Sequence, residues 1–147
     1  MNLHRLELTV VLLDYEITGP GLKKLIDSVL SRIPDEYQDD FPSFSIYEGP
    51  AKEGAQVTED FVMFDPGQLD KLSDNDDDVK TGIIAHELAH VFLKHATAPD
   101  VETQGLAYEN EADKLAVEWG FAREVQAFRR KLGPATMDFA SVKEWPP

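Results

Sequence analysis

The sequence predicts an α+β fold: a short sheet, mixed or mostly antiparallel, packed on an N-terminal helix and on a second, central helix, with a helical part towards the C-terminus. Three observations lead there. Strand-like apolar runs fall at residues 3–15, 41–49 and 56–65, with one helix-like stretch between the first two. From residue 77 onward the apolar residues recur at helical spacings of three and four. The chain has 147 residues, of which 42% are hydrophobic, so it can bury a core of its own. Its length suggests one domain, residues 1–147: a strand and helix part to residue 75, helices over 76–131 that carry the candidate site, and a tail over 132–147.

Each element has its own warrant. "LHRLELTVVLLDY" reads as the opening strand, and "TGPG" as a turn after it. Leu22, Leu25, Ile26, Val29, Leu30 and Ile33 mark an amphipathic helix with Lys23 and Lys24 on its wet side, stopped by Pro34. "FPSFSIYEG" and "QVTEDFVMFD" read as strands parted by the loop "PAKEGA". A short helix follows at 67–72. "SDNDDD" imitates the start of a calcium loop, but Val79 stands where glycine is needed and Ala85 where the closing glutamate is needed. These acids instead suit the first turn of a helix, whose dipole favours negative charge there. That helix is predicted over 77–95. "ATAPDVETQ" is a loop, and helices follow over 105–119 and 122–131, parted by Gly120. The tail reads as irregular, with Phe139, Val142 and Trp145 available to dock on the body.

Composition excludes several classes of function. There is no cysteine, hence no disulfide, thiolate metal site or cysteine nucleophile, which fits a cytoplasmic setting. The apolar run "LTVVLL" is too short to span a membrane, and Glu7 and Asp14 flank it, so no membrane segment or leader is expected. With 14 basic and 28 acidic residues, the formal net charge is −14. Such a surface repels nucleic-acid backbones and attracts a basic partner or substrate.

The chemistry concentrates in "AHELAH". Three of the four histidines lie at positions 86, 90 and 95. At about 100° per residue, His90 points about 40° from His86 and Glu87 about 100° from it. Ile84, Leu88, Val91 and Phe92 fall on the opposite side, between about 140° and 240°. Two imidazoles at i and i+4 can bind one zinc ion, and the adjacent glutamate reaches a water beside that ion as general base. His95 points about 180° from His86 and is read as a helix-end histidine outside the ligand set. A catalytic zinc takes three protein ligands. In "YENEADKLAVEWGF", Glu109 and Asp113 share a helix face, and Ala112 beside them permits close approach. Glu109 is therefore assigned as the third ligand. Asp113 is assigned to accept the free N–H of a ligand histidine.

"HELAH" followed by "ENEAD" resembles the zincin metallopeptidases with a glutamate ligand. The second element is similar to the E-x-x-A-D motif of HtpX-like membrane peptidases, and "ENEADKLA" to the corresponding segment of ImmA/IrrE-type peptidases. The resemblance covers residues 81–121. It implies a small zincin-like domain with one zinc ion per chain, held by His86, His90 and Glu109. It implies a peptidase acting on a protein or peptide, with Glu87 as base. It also implies a strand on the rim of the cleft, a role that suits Phe61, Val62, Met63 and Phe64; an interior strand is the other reading of these residues. For the donor facing the developing oxyanion, Tyr108, Tyr47 and Arg123 are open choices. The rival functions are a metal-binding interaction module with little or no proteolytic activity, and a zinc hydrolase of non-peptide amides.

Overall fold

A computed structural model describes residues 12–98, 105–134, 136–137 and 141–142. Strand β1 (Leu12–Glu16) leads through helices α1 (Pro20–Arg32) and α2 (Asp35–Gln38) to β2 (Phe44–Glu48). This helical crossover is what lets β1 and β2 pair in parallel. The edge hairpin β3 (Ala55–Val57) and β4 (Phe61–Phe64) completes a four-stranded mixed sheet of order β1-β2-β4-β3. β2 and β4 pair in parallel, β3 and β4 antiparallel. The α+β expectation holds, and of its two sheet alternatives the mixed one is found. Residues 3–11 of the predicted opening strand lie outside the described residues.

One predicted strand divides in two. Residues 56–65 do not run straight, because the Thr58 hydroxyl accepts the N–H groups of Asp60 (3.2 Å) and Phe61 (3.1 Å) and closes a turn. The chain doubles back, so β4 is flanked on both sides and β3 becomes the sheet edge.

Helix α3 (Pro66–Ser73) begins with Asp65 accepting the N–H of Gln68 at 3.1 Å and with proline in its first turn. Helix α4 (Asp77–Leu93) begins with Asp76 accepting the N–H groups of Asp78 (2.9 Å) and Val79 (3.2 Å). The acidic run therefore caps a helix, as its position before the apolar stretch suggests. α4 ends at Leu93, two residues before the predicted end, because Lys94 takes a left-handed conformation (φ 59°). A short 3-10 turn (His95–Thr97) follows.

Helix α5 (Gly105–Ala116) runs into a wide turn (Val117–Phe121) and then helix α6 (Ala122–Leu132). Gly120 in that turn has φ 105°, which glycine adopts without strain. Among the described residues of the tail, two two-residue strands, β5 (Thr136–Met137) and β6 (Ser141–Val142), pair where irregular chain is expected. The predicted docking residues Phe139 and Trp145 lie outside the described residues, as does the side chain of Val142.

The core joins Ile26, Val29 and Leu30 of α1, Ile46 and Val62 of the sheet, and Ile83, Ile84 and Leu88 of α4. Helix α4 sits at its centre. It packs on α6, α5, α1, α3 and the sheet, and from Thr81 to Val91 only Glu87 is not fully buried. Neighbouring elements thus cover most of α4, and its polar residues face a cleft.

Candidate metal centre

The cleft is a cavity of about 500 Å³. His86, Glu87 and His90 of α4 form its floor, Glu109 and Tyr108 of α5 one wall, and Ala55 and Val57 of β3 another. Ile83, Phe128 and Leu132 add apolar lining.

Helical spacing sets His86 and His90 edge to face, with ring planes 88° apart, and their Nε2 atoms lie 3.1 Å apart. Across the cleft, the Glu109 carboxylate places one oxygen 3.1 Å from His86 Nε2 and the other 2.8 Å from His90 Nε2. Three ligand atoms around a tetrahedral zinc, each about 2.0–2.1 Å from it, stand about 3.3 Å apart. The two nitrogens are 3.1 Å apart and each faces its own oxygen of the Glu109 carboxylate at 3.1 or 2.8 Å, separations slightly shorter than that, and imidazole nitrogens with a carboxylate oxygen suit zinc. His86, Glu87 and His90 also present ligand atoms within 4.8 Å of one another. The residues present therefore fit a metal ion.

The surroundings orient the ligands. Asp113, which is buried, lies 2.7 Å from His86 Nδ1 and accepts that N–H, as the sequence suggests. Arg129 of α6 holds Asp113 in turn, its Nε donating to one carboxylate oxygen (2.8 Å) and a terminal nitrogen to the other (3.2 Å). That terminal nitrogen is also 3.7 Å from Glu109. Sequence reasoning misses Arg129, since nothing in residues 122–132 ties one arginine to a motif two elements earlier.

His95 needs a correction too. It stays outside the ligand triangle, yet it is no bystander at a helix end. Its Nδ1 lies 2.9 Å from His90 Nδ1, and its Nε2 lies 2.9 Å from a Glu111 oxygen. The left-handed Lys94 breaks the helical wheel and swings this ring back over the site.

Burial favours the neutral form of Glu87 and raises its pKa above the ordinary carboxylate value. Burial alone would depress His86, but its hydrogen bonds to Asp113 and Glu109 outweigh that and push it up to about 10. Burial opposes the charged form of Glu109 as well, and the two imidazoles beside it more than compensate, holding its pKa well below the usual range.

The proposed rim does not lie where the sequence suggests. Phe61, Val62, Met63 and Phe64 form the interior strand β4, and none of them lines the cavity. The bordering edge is β3, because the Thr58 turn puts residues 55–57 outermost. Of the three candidate oxyanion donors, Tyr108 lines the cavity. Tyr47 donates its hydroxyl to Asp14 at 3.3 Å on another part of the sheet. Arg123 is 78% exposed beside Asp78.

No described helix is long and apolar enough to cross a membrane. Comparison of the chain with models of known protein families, with curated proteins and with solved structures finds no match.

Proposed function

We propose that this protein is a zinc-dependent peptidase of the glutamate-ligand zincin type, most consistent with a cytoplasmic setting given its lack of cysteine. The observation that carries the reading is the convergence of His86, His90 and Glu109 with Glu87 alongside, on a cavity bordered by a sheet edge. His86, His90 and Glu109 would hold the ion, which supplies Lewis acidity at the scissile carbonyl. Glu87 takes a proton from the attacking water and delivers it to the departing amine. A pKa raised by burial suits a group that must both accept and release that proton. Asp113 and Arg129 keep His86 in place. An extended peptide would pair with β3, the outermost strand of the sheet among the described residues, with a side chain directed towards Ile83, Phe128 and Leu132.

Protein purified without added zinc should carry close to one equivalent, and His86→Ala or Glu109→Ala should lose it. Glu87→Gln should retain the ion while cleavage of a peptide library falls by about 10²–10⁴-fold. Profiling cleavage sites with wild type and Glu87→Gln side by side checks this. Equal cleavage by the two removes Glu87 as base. Zinc-loaded wild type that cuts nothing favours a metal-binding module.

A further inference from the structure

We infer that His95 is the positioning residue for His90, holding that ligand's ring and fixing which of its nitrogens faces the metal. The inference rests on the proposed metal centre and adds a residue that the H-E-x-x-H and E-x-x-A-D patterns omit.

A ligand imidazole gives one nitrogen to the ion and must place the N–H of the other. For His86 that partner is Asp113. For His90 it is another imidazole. The proton assignment follows from the far end. The Glu111 carboxylate only accepts, so His95 Nε2, 2.9 Å away, carries a hydrogen. In neutral imidazole this leaves His95 Nδ1 with a lone pair. His90 Nδ1, 2.9 Å from it, must then be the donor. Once an ion sits between His90 Nε2 and the Glu109 oxygen 2.8 Å from it, that nitrogen gives its lone pair to the metal and the hydrogen of His90 stays on Nδ1. With the opposite tautomer of His95, His90 would turn an N–H towards the ion.

The ring that transmits this is itself fixed. His95 is buried, and its face stacks on Tyr108 with centroids 4.3 Å apart and planes 14° apart. Helix α5 therefore acts twice on the centre: Glu109 directly, and Tyr108 and Glu111 through His95.

The test is zinc affinity by chelator competition in three variants. His95→Phe keeps the stacked ring and removes both nitrogens, so it should weaken binding by about 10–100-fold. His95→Asn carries an amide oxygen where Nδ1 stood and accepts the same bond, so it should recover binding to within about threefold of wild type. Glu111→Ala, at a side chain 55% exposed, should fold normally and cost about 3–10-fold. If His95→Phe binds within about twofold of wild type, or His95→Asn binds as weakly as His95→Phe, the role is overturned. Should His95→Phe fail to fold, Glu111→Ala decides: unchanged affinity overturns the role. A wild type that takes up no zinc overturns the centre and this role together, whereas one equivalent in wild type with unaffected variants overturns the role alone.

Discussion

Asp113 serves two cationic or donor groups at once, His86 on one side and Arg129 on the other, from a fully buried position. Asp113→Ala leaves the Arg129 charge, on a side chain only 10% exposed, without its carboxylate. Stability to urea should fall by about 3–5 kcal/mol, and zinc affinity by about 10–100-fold. The same cluster sets a pH dependence in metal-free protein. The pKa of His86 is raised in the folded state, so its stabilising contribution is full below 6.5 and fades as the pH climbs to about 10. Glu109 and Asp113 are shifted down from 4.5 and 3.8, so theirs are present above those values and fade on acidification. The melting temperature of metal-free protein should therefore decline on either side of the range between them. Zinc must displace the His86 proton, so uptake should release protons and tighten as pH rises. Titration calorimetry in two buffers of different ionisation enthalpy measures that release. Helical spacing groups His86, Glu87 and His90 on one helix and Glu109 and Asp113 on another, and both groupings are legible in the sequence. His95 and Arg129 are not, since one sits beyond a left-handed residue and the other is joined to the site only by packing of α6.

At the scale of elements, α4 approaches α6 closely at Gly82. A Cβ built on Gly82 would lie 2.2 Å from the backbone oxygen of Glu124. In an exposed helix, glycine to alanine is worth about 1 kcal/mol of stability. Here backbone blocks the methyl, and the helices must separate. Gly82→Ala should lower stability by about 1–3 kcal/mol, seen as a depressed melting temperature. Helix α1, the cap of α4 at Asp76 and the break before α6 follow from local signals, namely apolar period, acidic first turn and glycine. The hairpin β3–β4 does not, because a single threonine hydroxyl converts an apparently continuous strand into two. Nor does the covering of α4 by its neighbours: periodicity shows which side is apolar, but not that the polar side faces a cleft.

The whole molecule is strongly anionic, with a formal net charge of −14. If it cleaves peptides, those flanked by lysine or arginine should be taken at higher kcat/KM than acidic ones at low ionic strength. The advantage should shrink as salt shortens the Debye length from about 30 Å at 0.01 M to about 8 Å at 0.15 M. A charge-independent preference would be unmoved by salt. The packing around α4 has one more consequence. Amides in the middle of a helix packed between α1, α3, α5, α6 and the sheet should trade hydrogen for deuterium chiefly when the entire chain unfolds. The isotope uptake of residues 83–91 is therefore a clock for global opening. Adding zinc should slow that clock by about the ratio of free zinc to its dissociation constant, which makes one peptide in a mass spectrum a gauge of occupancy that needs no substrate.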